Sequence, residues 1–197
     1  MNKHTVQTVE ISAVDIDRTG SMKQGDIAPT RLAAAQAAAV EFVKRKRVLD
    51  ARDVNTIVAF NTGAQTVSPF GRHPWEVTND VRGLTANGGT SVTSGLRKSL
   101  DAIMQEAKRH PHATRRIILL TDGEHNTGPA PREDGVLAAL RSNRVIVDCV
   151  LIGKNGEQLL REIAADTGGE FLRVSDFQTL LDHYRHLASK KAGAWRP

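Results

Sequence analysis

The chain has 197 residues, 40% hydrophobic and 25% charged, which is enough for one domain with a well-buried core. A single cysteine excludes an internal disulfide, and aromatics at 4% leave the core to Leu, Ile, Val and Ala and make a base-stacking single-strand surface unexpected. The formal charge of +5 permits acidic partners without establishing them.

From the N-terminus, Val9 to Ile16 is an apolar, strand-like run. Thr30 to Arg47 is alanine-rich, with Leu32, Ala35, Ala39 and Phe42 or Val43 at helical spacing. Its basic end, Lys44 to Arg47, reads as a solvated terminus whose charges complement the helix dipole. Asp53 to Phe60 is β-branched and strand-like, and Gln65 to Ser68 follows after so short a link that an antiparallel hairpin is expected.

Pro69 to Leu84 shows little periodicity, and His73-Pro74 marks a break. Val92 to Arg109 has an apolar helical face of Leu96, Leu100, Ile103, Met104 and Ala107. Arg115 to Thr121 is a strand entering an Asp-Gly turn, Gly128 to Pro131 is a loop, and Glu133 to Ser142 is a short helix. Arg144 to Ile152 is a strand carrying Asp148 and Cys149, the latter expected as a buried thiol. Gly156 to Asp166 is helical and stops at Gly168-Gly169, and Glu170 to Val174 is a last strand. Ser175 or Asp176 caps a final helix whose stripe is Phe177, Leu180, Leu181, Tyr184 and Leu187, before a tail from Lys190 to Pro197 expected to fray.

Strands alternating with helices predict an α/β, Rossmann-like doubly wound fold. Its mostly parallel sheet of about six strands has one short antiparallel edge and helices on both faces. No repeat or low-complexity linker divides the chain, so residues 1–197 read as one domain with its core from about 9 to 188. The first residues lack the apolar core of a signal peptide and no apolar run reaches membrane-helix length, so a cytoplasmic protein without membrane contact is expected.

The chemistry concentrates just past the first strand, in Asp17-Arg18-Thr19-Gly20-Ser21-Met22. A carboxylate and two hydroxyls at alternate positions are hard oxygen donors, suited to a small cation such as Mg2+. Thr90, in Asn87-Gly88-Gly89-Thr90, and Asp122, in Leu120-Thr121-Asp122-Gly123, supply further oxygens. In an open parallel sheet all three segments fall at the carboxyl ends of strands, where such folds bind ligands.

This ordered set resembles the von Willebrand factor A domain, whose adhesion motif is Asp-x-Ser-x-Ser followed by a distant Thr and a distant Asp. Asp17, Thr19, Ser21, Thr90 and Asp122 match it, with Thr19 in place of the first serine. Gly88-Gly89-Thr90-Ser91, Leu120 to Glu124 and Ile163 to Gly169 carry further likeness, which extends from about Val9 to Leu187. The resemblance implies a non-enzymatic, divalent-cation-dependent protein-interaction domain of the compact, stand-alone bacterial type. Its cofactor would be Mg2+, with Mn2+ or Ca2+ as alternatives, and its partner a protein presenting an Asp or Glu, for example an AAA+ ATPase or another multi-subunit system. Nucleic acid is not an expected partner. Arg18, Gly89, Gly123 and Glu124 would rim the site, with His125 and Asn126 beside them, and Gly88 and Gly89 would let their loop approach closely. His73, His110, His112 and His125 lack zinc-ligand spacing, and Asp26 is not expected to hold a second metal.

A rival reading shares these residues. Asp15-x-Asp17-x-Thr19 after an apolar strand resembles the first motif of haloacid dehalogenase-like phosphatases, with Asp15 as nucleophile, Asp17 as acid/base and Mg2+ on the phosphate. No later Gly-preceded acidic pair supports it, and Gly-Gly-Thr has no part in it. Asp15 otherwise needs its own account: it acts behind the metal ligands, or it pairs with an arginine.

Overall fold

β1 (Glu10–Asp17), β2 (Val54–Phe60), β4 (Thr114–Thr121), β5 (Val145–Ile152) and β6 (Phe171–Val174) are parallel, and β3 (Ala64–Ser68) folds back antiparallel on β2. The computed structural model describes residues 8–191, and the tail expected to fray lies outside them from 192 onward. The sheet order is β3-β2-β1-β4-β5-β6. The chain winds outward from β1 through β2 and β3, then restarts on the other side of β1 with β4. The order therefore reverses between β1 and β4, and a crevice opens at their carboxyl ends. The expected fold class is the observed one.

Strand alternation divides the core. Val14, Ile16, Ile118, Leu120, Val150 and Ile152 face α1 (Arg31–Leu49), α2 (Pro74–Arg82) and α7 (Phe177–Ser189). Ile11, Ala13, Ile117, Leu119, Val147 and Cys149 face α3 (Val92–Glu106), α5 (Val136–Ser142) and α6 (Glu157–Thr167). Thr30 caps α1 by accepting from Ala33 N, and Asp176 caps α7 by accepting from Thr179 N. Phe42 of α1 meets Tyr184 of α7 edge to face, with centroids 6.4 Å apart. No described helix is long and apolar enough to cross a membrane.

Four local expectations change. The region from Pro69 to Leu84 contains α2. Pro74 starts it at the first helical position and Glu76 Oε2 accepts from His73 N at 2.8 Å, so the apparent break is a helix start. The helix expected over Glu133 to Ser142 is two pieces, α4 (Pro131–Asp134) and α5, divided by Gly135 at φ 85°. α3 ends at Glu106, short of Arg109.

The fourth concerns the basic end of α1. Lys44, Arg45 and Arg47 are solvated, but Lys46 is buried. Its Nζ lies 2.6 Å from Glu10 Oε1 and 3.4 Å from Asp53 Oδ2, at the amino ends of β1 and β2. Beside it Arg116 of β4 bonds Asp148 Oδ2 at 2.6 Å and donates through Nη1 to the carbonyls of Leu187 and Lys190, both at 2.8 Å. These opposed charges tie the end of α7 to the base of the sheet, opposite the crevice.

Candidate metal centre

At the crevice, β1 ends on Asp17 and the chain turns through Thr19 into a 3-10 turn, Gly20–Lys23. Asp17 is buried, its Oδ1 accepting from Thr19 N at 2.7 Å and its Oδ2 from Thr121 Oγ1 at 2.5 Å. The last residue of β4 thus fixes the carboxylate at the end of β1. Ser21 Oγ donates to Asp122 Oδ1 at 2.7 Å, and Thr19 Oγ1 stands 3.2 Å from Ser21 Oγ. Since the single Ser21 proton goes to Asp122, Thr19 is the donor to Ser21.

Backbone bonds join the loops that carry these groups. Gly20 N donates to Gly88 O at 3.1 Å, Asn87 N to Arg18 O at 2.8 Å and Arg18 N to Phe60 O at 2.9 Å. Thr90 is buried in the wall of the same cleft as Ser21 and Asp122. Its N–H donates to Asn126 Oδ1 at 2.7 Å, and its carbonyl accepts from Asn126 N and Thr127 N. Gly89 leaves little room: a Cβ there would stand 2.6 Å from Thr127 Oγ1 and 3.0 Å from Asn126 Oδ1, so a side chain would displace these groups from the loop. Gly123 has no such neighbour within 4 Å, and Glu124 and Asn126 are exposed at the rim.

Three contributors escaped the sequence reading. Thr121 orients Asp17. Asn61, after β2, donates through Nδ2 to Asn87 Oδ1 at 2.8 Å and holds the Gly-Gly-Thr loop. Arg31, the first residue of α1, donates from Nη1 to Asp122 Oδ2 at 2.9 Å while Nε and Nη2 grip Asp26 at 2.8 and 2.7 Å. Asp26 is thereby held below the usual carboxylate range, and both its oxygens serve the guanidinium. Asn61 and Asn126 lie in loops beside the motif segments, which was the available signal. Arg31 had none.

Electrostatics favours a cation. Burial, with a smaller push from Asp122, raises Asp17 to about 6, against hydrogen bonds that pull it down. Two carboxylates crowd together, and the one guanidinium on them is shared with a third. The donors are all oxygens, and among the described residues no trio of His, Cys, Asp and Glu competes for a metal. Ligands at 2.0–2.1 Å in an octahedron lie about 3 Å apart. Hydrogen bonds already hold the oxygens of Asp122, Ser21 and Thr19 2.7 and 3.2 Å apart, close enough to face one ion together. The residues fit a small hard cation.

Asp15 lies one step below. It is buried and accepts from Ser99 Oγ on α3, while its Oδ2 lies against the position where a Gly95 Cβ would stand, at 3.4 Å. A Cβ at Gly95 would also meet Phe60 at 2.9 Å, so glycine lets α3 close over this carboxyl. The arginine partner allowed for Asp15 is replaced by a serine. Burial raises its pKa well above the usual value. Asp15 has no exposed surface and does not line the cleft, so this arrangement gives the phosphatase scheme no support.

The sequence model of the von Willebrand factor type A domain matches residues 14–125, more than half of the chain, and the chain belongs to that family. Human calcium-activated chloride channel regulator 1 is 31% identical over 122 residues, 62% of this chain but 12% of that protein. The chain thus spans about a tenth of the length of such curated relatives. Among solved structures, a von Willebrand factor type A protein from Catenulispora acidiphila superposes with a TM-score of 0.80 at 24% identity, covering 93% of this chain and 42% of that one. Proximal thread matrix protein 1 from the mussel byssus, solved with a zinc-occupied MIDAS motif, gives 0.74 at 18% identity over 92% of this chain and 47% of that one. At these identities the structures establish the shared fold.

Proposed function

We propose that this domain is a non-enzymatic, divalent-cation-dependent protein-interaction module that captures a carboxylate of its partner. Asp17, Thr19, Ser21, Thr90 and Asp122 would hold the cation, the two carboxylates directly or through waters. Mg2+ is the occupant the oxygen donors favour, with Mn2+ or Ca2+ as substitutes. When bound, the cation supplies an electrophilic anchor for an incoming carboxylate.

The observation that carries this reading is the charge arrangement around Asp122. One of its oxygens takes a neutral hydroxyl from Ser21 and the other a guanidinium from Arg31. The hydroxyls are neutral and Asp122 already answers Arg31, so a divalent cation held here keeps electrophilic character toward an external Asp or Glu. The zinc-occupied site of the mussel protein supports metal binding by a relative of the same fold.

A pull-down from native lysate in Mg2+ and again in chelator tests the proposal. Partners should be retained by the wild type only in Mg2+ and lost from Asp17→Ala in both. Retention of the same partners in chelator would refute it.

A further inference from the structure

The crevice does not end at the metal centre. A cleft of about 770 Å3 runs from Ser21, Thr90 and Asp122 past Gly153 to Lys154, Arg173 and Ser175, across the carboxyl ends of β4, β5 and β6. We propose that its far end is a second anion subsite, headed by Lys154 and Arg173, and that the partner segment is an acidic peptide bearing two carboxylates. This rests on the proposed function for the first carboxylate and adds the second.

Charge separates the two ends. Near the metal centre Arg31 is spent on Asp26 and Asp122. At the far end Arg173 reaches Glu157 Oε2 at 3.2 Å, but Arg161 holds the other oxygen of the same Glu157 at 2.7 Å. One carboxylate thus serves two guanidiniums. Lys154 is exposed on the turn after β5, and no ion pair forms to it among the described residues. Asp176, the next acid along the chain, is turned away to cap α7 through Thr179 N at 2.8 Å. The far end keeps a net positive charge that the fold leaves unanswered.

Spacing sets the ligand. Neighbouring strands lie about 5 Å apart, so a cation between the ends of β1 and β4 would stand about 12 Å from the end of β6. An extended peptide rises about 3.3 Å per residue and turns alternate side chains to opposite faces, so acids four residues apart, on one face, span the subsites.

Fluorescent peptides titrated against the full chain test this: a Gly/Ser peptide with one Asp, and the same peptide with a second Asp four residues on. In Mg2+ the two-acid peptide should bind about fivefold tighter, the worth of a favourable exposed charge pair. Lys154→Gln, a surface change, should erase that preference and leave one-acid binding intact. Equal binding of both peptides, with Mg2+ still required, would overturn the second subsite and leave the proposed function standing. No Mg2+-dependent binding of either peptide would overturn both. A single-stranded oligonucleotide is the control. Binding to it that ignores chelator, falls steeply with salt and is lost in Lys154→Gln would assign the basic end to phosphate chains and overturn the acidic-peptide subsite.

Discussion

Arg31 donates to Asp122 across 91 positions of sequence, Nη1 to Oδ2 at 2.9 Å, and so places a fixed positive charge against one of the two carboxylates of the candidate metal centre. The guanidinium is nearly buried and is oriented by Asp26. It relieves the repulsion between Asp17 and Asp122 while competing electrostatically with any cation.

Arg31→Gln removes that charge and keeps a donor near Asp122. Mg2+ should bind a few-fold tighter by calorimetry. The metal-free protein should lose about 3 kcal/mol, because truncating one partner of a buried pair leaves a charge uncompensated. Weaker Mg2+ binding in a folded variant would show that Arg31 acts chiefly by orienting Asp122.

Asp17 gives the site a pH dependence. In the metal-free protein its pKa is raised to about 6. A raised acid contributes stability that is present below the unfolded-state value near 4 and is lost as pH rises to about 6. Metal binding needs the carboxylate, so Mg2+ affinity should fall by up to about tenfold per unit below pH 6 and level off above about 7. Calorimetry in buffers of different ionisation enthalpy should detect proton release on Mg2+ binding near pH 5.5, and about none at pH 8.

Asp15 titrates in the same direction for a different reason, since burial dominates and Ser99 only partly offsets it. The folded protein keeps Asp15 protonated over a range where the unfolded chain has released the proton. Asp15→Asn mimics the neutral acid. In chelator, its stability relative to wild type should rise as pH increases from about 4 toward neutrality, by denaturant unfolding at several pH values. Mg2+ affinity should stay within about twofold of wild type, because the carboxyl faces Ser99 and Gly95 and not the metal centre. A larger loss would restore a role for Asp15 behind the metal ligands.

Arg116 tests whether the last helix communicates with the crevice. Its bonds to Leu187 O, Lys190 O and Asp148 pin the end of α7 at the opposite pole of the sheet. Arg116→Met should cost about 3–5 kcal/mol and speed amide exchange over residues of α7. If the helix is a static brace, Mg2+ affinity will not move; a change beyond twofold would reveal coupling between the two poles.

The strands were legible because β-branched runs alternate with alanine- and leucine-rich segments, and the short Asn61–Ala64 link announced the hairpin. α2 escaped because only Val77 and Val81 mark its inner face in nine residues. Asp17, Thr19 and Ser21 could be read together because one turn carries all three, and Gly-Gly-Thr and Thr-Asp-Gly stood out at strand ends. Lys46, Arg31 and Asn61 could not. Each takes its meaning from at least one partner 26 or more positions away, and locally they look like a solvated helix end, a helix start and a turn residue. Asp15 was visible as an anomaly, but its serine partner lies 84 positions on, across the helix that covers it.

The most direct measurement is a calorimetric titration of Mg2+ into the wild type and into Thr90→Val, a change that removes one hydroxyl from the cleft wall and nearly preserves shape. The account predicts a single Mg2+ site in the wild type and its loss in a folded Thr90→Val protein. Unchanged Mg2+ binding by the variant, or none by the wild type at neutral pH, would contradict it.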